Sequence, residues 1–418
     1  MLHQVRTQAG LLPHDREKIK TLHIFNPEHY IALASGLANF TAPHAGRQLR
    51  HDLGFLPAIW AAEGDAVMVD DVEQAQRQWH KLQHRINTLT ESQRWHGAKV
   101  TFIPSNSNVV AGLSHKGETN QHLSINPWGW NSALRALLLR RGVGEQQLPT
   151  LSQLDTIREL SHRRTAARLL AKLREGGTAA DELSSVASST VGEAYECTTL
   201  EELEALLDRY GHLVLKAPWS SSGRGLRFLS LPKDTSLHPS PVTLHHQGWF
   251  RNVVQTQGSV MVEPYYNKVK DFAMEFYSDG RGTITYLGLS LFHTQNGAYI
   301  GNILATEATK REMISHYVPD TFIDAVKGNI CRALSPVFNG SYTGPFGVDM
   351  MIVNNTYHPS PTTYHPSPTA LLHPCVEINL RRTMGHVALA LSPTDDDRQL
   401  VMRTEYSNGN YQLKINRL

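Results

Sequence analysis

The spacing of short apolar runs is the feature that most constrains the fold of this chain. Three strand-like runs, TLHIF, DAVMV and KVTFIP, are separated and followed by helical patterns, which predicts a parallel sheet covered by helices, an α/β layer. From residue 212 onward strand-like runs dominate and helices are interspersed, which predicts α+β layers. The predicted strands cover residues 21–25, 65–69, 99–104, 212–218, 259–266, 271–278, 283–292, 345–353 and 375–380.

The length of 418 residues exceeds what one ordinary core holds. At roughly 100 to 200 residues per domain, we expect roughly two to four domains. The segment GEQQLPTL near 144–151 is typical of a connector, and a basic amphipathic helical region follows it. Before it, SALRALLLRRGVG predicts a helix that ends at Gly142. A domain boundary is therefore predicted near residue 150.

The charges balance almost completely, with 40 Lys and Arg against 38 Asp and Glu. We therefore expect neither nucleic acid nor a membrane surface as a partner, and any anion site must be local. The first 20 residues lack the apolar core of a signal peptide, and no uncharged run of about 18 residues occurs. These features predict a cytoplasmic protein.

Cysteine and histidine give no metal-site pattern. Cys197, Cys331 and Cys375 lie far apart without CxxC spacing, so we expect buried thiols rather than a zinc ribbon or disulfides. The 22 histidines show no HExxH pairing, and we expect them at the surface or with satisfied hydrogen bonds.

Two loops are informative for what they exclude. FNPEH follows the first predicted strand without the glycines of a dinucleotide-binding loop, so the first layer is not predicted to hold a dinucleotide. YHPSPT occurs twice, at 357–362 and 364–369, and its prolines exclude a helix or a strand ladder. We expect an extended surface loop there.

The stretch LVLKAPWSSSGRGL is a candidate phosphate loop. A predicted strand ends at Lys216, and Ser220, Ser221, Ser222, Gly223 and Gly225 follow it. Small residues let backbone N–H groups approach phosphate oxygens, and the lysine supplies a point charge. The stretch is not a Walker A loop, and an ordinary hairpin turn remains the alternative.

The stretch VMVEPYYNKVKDFAMEF is a candidate nucleoside-binding segment. Its apolar backbone leads to Glu263, and Asp271 and Glu275 follow on a new predicted strand. A strand edge can pair with adenine, and a carboxylate further on can hold ribose hydroxyls. An edge hairpin with solvated charges is the alternative.

Three oxygen donors form a candidate magnesium site. Asp349 lies in the predicted strand GPFGVDMMIV, and Glu377 and Asn379 lie in CVEINLRR. Residues i and i+2 of a strand share one face, so Glu377 and Asn379 point to the same side. Magnesium prefers few protein carboxylates and completes its shell with water and phosphate oxygens. Arg381 and Arg382 are candidates to neutralise a phosphate or a substrate carboxylate. Glu377 and Asn379 as solvent-facing strand residues are the alternative.

Four elements follow one another along the chain: the phosphate loop after Lys216, the VEPYY segment, the strand with Asp349, and the strand with Glu377 and Asn379. Their order resembles the ATP-grasp superfamily of ATP-dependent carboxylate ligases, over roughly residues 151 to 395. The resemblance implies an α/β and α+β multidomain fold: a Rossmann-like pre-ATP-grasp domain, then two ATP-grasp subdomains. The implied boundaries are 1–150, 151–262 with the phosphate loop, and 263–418 with the metal site.

The resemblance also implies residue roles. Lys216 would contact ATP phosphates, and it is a catalytic candidate together with Arg381 and Arg382. The remaining implied contacts are Ser221, Ser222 and Gly223 over the phosphates, Val262, Glu263 and Tyr265 at adenine, Asp271 at the ribose, and Asp349, Glu377 and Asn379 at Mg²⁺.

Two positions depart from the family pattern. Many members carry an early lysine where this chain has Arg163 and Arg164, and arginine keeps the charge but not the geometry. Many ligases place an arginine just before the first metal-binding Asp, where Gly347 and Val348 stand here.

The implied activity is phosphoryl transfer from Mg²⁺-ATP to a small-molecule carboxylate, giving an acyl phosphate that an amine attacks. A kinase on the same scaffold and a non-catalytic nucleotide-binding module are the alternatives. A homodimer is expected only as the commonest closed assembly. Candidate acceptor-site residues are Asn26, Glu28, Trp128, His293, Tyr299, Asn302 and Lys310.

Overall fold

A computed structural model describes most of the chain. The described residues are 21–89, 97–108, 123–175, 189–220, 225–231, 242–295, 298–354, 370–394 and 398–418.

The first layer is a parallel sheet with helices around it. Strands β1 (Thr21–Ile24), β2 (Ala66–Val69), β3 (Thr101–Pro104) and β4 (Ser124–Pro127) lie in the order β3-β2-β1-β4. The surrounding helices are α1 (His29–Ser35), α2 (His44–Leu53), α3 (Val72–Leu89) and α4 (Ser132–Arg140), with 3₁₀ turns at Leu56–Ile59 and Glu145–Gln147. Every pairing in this sheet is parallel, so the predicted α/β layer is confirmed, and β4 adds a strand that was not predicted.

Helix α4 shows why the sequence pattern was readable. The Asn131 side chain accepts a hydrogen bond from the Leu134 N–H at 2.9 Å and caps the start of the helix. Leu134 and Leu138 are buried on its inner face. The helix ends at Arg140, and Gly142 follows with φ +84°, a left-handed conformation that suits glycine.

A small antiparallel sheet, called the small sheet below, follows helices α5 (Leu151–Leu160) and α6 (Arg163–Arg174). Its strands β5 (Tyr195–Cys197), β6 (His212–Lys216), β7 (Leu226–Ser230) and β8 (Val260–Pro264) lie in the order β5-β8-β6-β7. Helices α7 (Leu200–Tyr210) and α8 (Leu244–Gln257) contribute to its core, which includes Leu203, Leu207, Phe250 and Val253.

A seven-stranded antiparallel sheet, the large sheet, makes up most of the remainder. Its order is β13-β12-β9-β10-β11-β14-β15, from β9 (Lys268–Asp279), β10 (Ile284–Gln295), β11 (Ala298–Leu304), β12 (Thr343–Asn354), β13 (Ala370–Asn379), β14 (Leu400–Ser407) and β15 (Asn410–Arg417). Helices α9 (Glu307–Ser315), α10 (Asp320–Phe338) and α11 (Met384–Leu391) complete it. Leucines of α5 and α6 share its main core with Phe272, Phe276 and Phe346.

The fold class predicted from the sequence, α/β followed by α+β, is confirmed by these three sheets. Strands β5, β7, β11, β14 and β15 were not predicted either. The domain boundaries 1–150, 151–262 and 263–418 stay a prediction; the three sheets occupy residues 21–127, 195–264 and 268–417.

Three further predictions concern the cysteines, the repeated YHPSPT segment and membrane-spanning helices. Cys197 and Cys375 are buried and free, as expected, whereas the free Cys331 is half-buried. Both copies of YHPSPT lie outside the described residues. Among the helices of the described residues, none combines the length and apolar character needed to cross a membrane.

Candidate functional site

A cavity of about 1300 Å³ lies where the first layer, the small sheet and the large sheet meet. Most of the site residues predicted from the sequence line it, although they come from different sheets. These lining residues are Lys216, Glu263, Tyr265, Asp271, Asp349, Glu377, Asn379 and Arg381. The fold therefore brings together charged side chains that separate sequence motifs had indicated.

Lys216 and Glu263 form a buried ion pair on the wall that the small sheet provides. Lys216 Nζ lies 2.5 Å from Glu263 Oε2, and the two residues are 5% and 7% exposed. Neighbouring strands β6 and β8 deliver them to the same face. A buried charge must be paired to be tolerated. Because an ammonium group has three donors, Lys216 can hold this pair and still donate to a phosphate oxygen.

The two ends of the turn after β6, at Ala217 and Gly225, lie close together. The Ala217 N–H donates to Gly225 O at 2.9 Å. A Cβ added at Gly225 would collide with the Ser220 side chain, so only glycine fits there. β6 and β7 do form a hairpin, and Lys216 and Leu226, which flank its turn, line the cavity. The predicted phosphate contacts Ser221, Ser222 and Gly223 lie outside the described residues.

Arg163, at the first position of α6, links this turn to the candidate metal ligands. Its guanidinium donates to Ala217 O and Ser220 O, each at 3.1 Å, and lies 3.1 Å from Glu377 Oε2. Burial is the largest single influence and acts to lower the pKa of Arg163, but the attractions of Glu377, Tyr30 and Glu263 together outweigh it, so the pKa is raised. In the sequence this position was a departure from the family pattern and was not predicted to belong to the site.

Asp349, Glu377 and Asn379 converge on adjacent strands. Asp349 pairs directly with Glu377 in the register of β12 and β13, and Asn379 Nδ2 donates to Asp349 Oδ2 at 3.0 Å. Burial, together with the negative charges of Glu377 and Glu275, raises the pKa of Asp349 well above its ordinary value. Carboxylates held this close repel each other, and a bound cation relieves that repulsion.

The donor set fits magnesium. Glu377 Oε1 is buried and, among the described residues, has no hydrogen-bond partner. Two carboxylates and one amide oxygen leave room for water and phosphate oxygens in an octahedral shell. No cluster of three His, Cys, Asp or Glu side chains arranged for a metal ion occurs in the described part of the chain. The oxygen-only set at Asp349, Glu377 and Asn379 suits a hard cation that takes few protein ligands.

The two arginines after Asn379 have different surroundings. Arg381 lines the cavity, donates to Asn379 Oδ1 at 2.8 Å and stacks over the Tyr30 ring at 4.9 Å. Arg382 is absent from the described cavity lining and lies 4.4 Å from the Trp60 ring, where burial lowers its pKa to about 10. Arg381 therefore faces the cavity, whereas Arg382 packs against Trp60, and the catalytic role of each stays a prediction.

The predicted adenine segment is only partly available. Val262 pairs with Tyr195 on one side and Leu215 on the other, so its backbone is used within the sheet. The Tyr265 N–H donates to His212 O at 2.9 Å. β8 is thus an inner strand rather than the expected edge, and Val262 does not fit a role in binding a base.

Two exposed aromatic rings offer an apolar surface at this wall. Phe228 and Tyr265 line the cavity, are 52% and 49% exposed, and have ring centroids 6.2 Å apart. Exposed aromatic rings of this kind suit stacking on a base. Phe228 was not among the predicted site residues, because it belongs to a strand that the sequence pattern did not predict.

Asp271 also lines the cavity, beside residues of the large sheet. Its Oδ2 accepts from Lys268 Nζ at 2.5 Å and from Thr294 Oγ1 at 2.6 Å. The carboxylate is therefore oriented by its neighbours before any ligand binds, which is compatible with the predicted ribose contact.

Glu275 lies beside Gly347, which is one of the two residues that depart from the family pattern just before Asp349. A Cβ added at Gly347 would lie 2.5 Å from Glu275 Oε2, so Glu275 fills the space that a side chain would take there. Thr383 Oγ1 donates to Glu275 Oε1 at 2.8 Å, and His386 Nδ1 lies 3.0 Å from Oε2. The sequence placed Glu275 on a predicted strand after Asp271 but did not predict its position beside Gly347, because only strand register pairs the two residues.

The acceptor-site candidates divide into two groups. Tyr299, Asn302 and Trp128 line the cavity, and the Tyr299 hydroxyl donates to Asn302 Oδ1 at 2.5 Å. The other four, Asn26, Glu28, His293 and Lys310, are not in the described lining. Three of them have partners elsewhere: Asn26 donates to Gly129 O, Lys310 donates to Leu289 O, and Glu28 pairs with Arg50.

Comparisons with known proteins found distant structural similarity. No family model matches the chain, and no curated protein matches it. Solved structures similar to it include N5-carboxyaminoimidazole synthetase from Staphylococcus aureus in complex with ADP: 13% identity, 94% of this chain and 85% of that one, TM-score 0.45. A second is the biotin carboxylase domain of 2-oxoglutarate carboxylase from Hydrogenobacter thermophilus with MgADP, ADP and bicarbonate: 11% identity, coverage 93% and 75%, TM-score 0.47. A third, from Archaeoglobus fulgidus, is named for the ATP-grasp superfamily: 13% identity, coverage 96% and 99%, TM-score 0.39. At these identities and TM-scores the similarities are too distant to assign a function to this chain.

Proposed function

We propose that this chain is an ATP-grasp-type ligase that uses Mg²⁺-ATP to activate a substrate carboxylate as an acyl phosphate, which an amine then attacks. The observation that carries the proposal is the convergence in one cavity of three cations and an oxygen-only metal set. The charged half of the cavity includes the three cations Arg163, Lys216 and Arg381, together with Glu263, Asp349, Glu377 and Asn379.

ATP would lie between the small and large sheets. Phe228 and Tyr265 offer stacking surfaces to the base, and Asp271 is positioned for ribose hydroxyls. The phosphates would reach Lys216 and Arg163, which stand on either side of the turn after β6. Ser221, Ser222 and Gly223 of that turn remain predicted phosphate contacts. Two fixed cations in a dry wall interact with phosphate more strongly than they would in water.

Asp349, Glu377 and Asn379 would hold magnesium at the end of the phosphates. When bound, the ion neutralises phosphate charge as a Lewis acid. Arg163 already contacts Glu377, so phosphate contacts and metal ligands belong to one connected network. This connection favours binding of the nucleotide and the metal together.

Arg381 is the group best placed to orient the carboxylate. It lies beside the candidate metal ligands and its guanidinium is held by Asn379 and by the Tyr30 ring. A carboxylate oxygen attacks the γ-phosphorus of ATP, the bond from that phosphorus to the bridging oxygen breaks, and ADP leaves. The amine nitrogen then attacks the acyl carbon, phosphate leaves, and the amine loses a proton. Pre-oriented cations lower the barrier by stabilising charge that develops during transfer.

The test is trapping of the acyl phosphate. ADP release and hydroxamate formation are measured with Mg²⁺-ATP, hydroxylamine and pools of amino acids, dipeptides and other small carboxylates. We expect both products only when an acid is present, and neither with Glu377→Gln, which removes one charge at constant shape. Glu312→Gln, at an exposed position of α9, is the matched control and retains activity.

Two results would contradict the proposal. A stable phosphorylated product that resists hydroxylamine would indicate a kinase. ATP binding without ADP release for any pool would indicate a nucleotide-binding module. A homodimer and a cytoplasmic location remain predictions from the sequence.

A further inference from the structure

We infer that the acid substrate is a small carboxylate with an apolar side chain, bound in a second region of the same cavity. This inference rests on the proposed function for the position of the reacting carboxylate. The region, called the apolar arm, is lined by Phe25, Leu49, Leu53, Trp128, Met384 and Tyr411.

The walls of the apolar arm are preformed by the core of the first layer. Phe25, Leu53 and Trp128 are 3%, 1% and 4% exposed, and the Phe25 and Trp128 rings pack edge to face at 4.9 Å. Leu49 and Met384 are partly buried against the same core. A ligand side chain would therefore meet rigid apolar surface rather than side chains that must first be ordered.

The charged groups nearest the apolar arm are engaged elsewhere. On α2, Arg50 pairs with Glu28 and Asp70. Asp52 accepts from the Gln48 side chain and from the Tyr411 N–H. Among the described lining residues, the charged ones lie on the walls formed by α6 and by the small and large sheets: Arg163, Lys216, Glu263, Lys268, Asp271, Glu275, Asp349, Glu377 and Arg381. A charged ligand side chain would find no oppositely charged partner among the described residues of the apolar arm and would lose its hydration.

The apolar arm meets the charged half beside Arg381. The Arg382 N–H donates to Trp128 O at 2.8 Å, which fixes the wall of the arm against this loop. Met384 follows two residues later at the first position of α11. A substrate whose carboxylate pairs with Arg381 would therefore direct its side chain toward Trp128 and Met384. The same juxtaposition explains why the acid, rather than the amine, would occupy the arm.

The experiment compares acids of similar size. Binding of phenylalanine, leucine, glutamate and lysine is measured by calorimetry with Mg²⁺ and a non-hydrolysable ATP analogue, and hydroxamate formation is measured in parallel. We expect the apolar acids to bind at least about tenfold more tightly than the charged ones, the discrimination typical of an apolar pocket.

Substitutions at Met384 and Leu49 test whether the apolar arm causes this preference for apolar acids. Met384→Leu keeps the apolar surface and should bind the apolar acids within about threefold of wild type. Met384→Glu places a carboxylate in the arm at a helix start, where helices tolerate it. It should weaken the apolar acids at least about tenfold and improve lysine. Leu49→Gln, from a different element, should cause the same weakening, and thermal unfolding checks that each variant is folded.

Equal binding of all four acids, no binding of any, or an unchanged preference in Met384→Glu and Leu49→Gln would overturn the inference. Preferential binding of apolar acids without hydroxamate formation would support the apolar arm and contradict the ligase. The two failures are thus distinguishable.

Discussion

The charged half and the apolar arm of the cavity are built in opposite ways. The charged half takes its residues mainly from neighbouring strands, such as β6 with β8 and β12 with β13, so strand register brings the partners together. The apolar arm takes its residues from five places: the ends of β1 and β4, α2, α11 and β15. The charged side chains of the candidate site are thus brought together by pairing of neighbouring strands, whereas the shape of the apolar arm depends on packing between distant segments.

Arg163 gives the largest expected effect. Arg163→Met removes one partner of the buried pair with Glu377 and should destabilise the protein by about 3 to 5 kcal/mol. It should also weaken ATP binding, because the phosphate contact is lost. Urea unfolding and ATP titration measure the two effects. Arg164→Met, at the half-exposed neighbour, is the control and should cost about 1 kcal/mol or less. Equal effects at both positions would contradict the linking role of Arg163.

The two arginines after Asn379 should differ almost as strongly. Arg381→Met should reduce kcat by about 10²- to 10³-fold, the usual cost of removing one group that stabilises developing charge. Arg382→Met should leave kcat within about threefold, since Arg382 contacts Trp60 rather than the cavity. Steady-state kinetics on folded variants decide the point. A larger loss of kcat at Arg382 would restore the role that the sequence predicted for it.

Two fully buried histidines, His29 and His373, lie outside the described cavity lining and are neutral in the folded protein. Burial, with the charge of Arg381, lowers the pKa of His29 to about 3; burial, with Lys216 and Arg174, lowers the pKa of His373 to about 3. The unfolded chain binds a proton near pH 6.5, whereas the folded chain does not until about pH 3. The two histidines therefore leave the free energy of unfolding unchanged above pH 6.5. As the pH falls below 6.5 the free energy of unfolding decreases, by about 2 kcal/mol per histidine at pH 5.

His29→Gln and His373→Gln should each flatten this loss of stability below pH 6.5. The free energy of unfolding, measured in urea from pH 7 to pH 4.5, tests it. His80→Gln, at an exposed position of α3, should leave the slope unchanged. A slope that both buried variants share with wild type would show that neither ring titrates as described.

Phe228 gives the smallest effect, since it is half exposed and carries little of the fold. Phe228→Ala should weaken ATP about tenfold, within the range of one aromatic stacking contact on a base, and should leave the apolar acids unaffected. Tyr317→Ala removes an exposed aromatic that does not belong to the described lining, and ATP affinity should not change. Weakened binding of the acids by Phe228→Ala would show that the nucleotide wall and the apolar arm do not act as separate regions.

The sequence predicts those site residues that the pattern of a single strand places, and it does not predict those that strand pairing or tertiary packing places. The shared face of Glu377 and Asn379 could be predicted because strand periodicity fixes which face a side chain takes, while their role as metal ligands with Asp349 stays a prediction. Arg163 and Glu275 were not, because each reaches the site through tertiary packing or strand register. Val262 was assigned to a strand edge because pairing partners cannot be read from one strand, and β8 is an inner strand. Strands β4 and β7, which contribute to the cavity or its support, are the short runs SINP and LRFLS and show little apolar alternation. Strand β15, NYQLKINR, does alternate apolar and polar residues, so its pattern was present in the sequence and was missed.

We propose that Asp349, Glu377 and Asn379 hold magnesium on the phosphates of ATP. Calorimetric titration of the protein with ATP, in the presence and in the absence of Mg²⁺, measures this directly. Wild type should bind ATP at least about tenfold more tightly with magnesium. Glu377→Gln should lose that gain while still binding ATP in the absence of the metal. A magnesium dependence that survives in Glu377→Gln, or that is absent from wild type, would contradict the account.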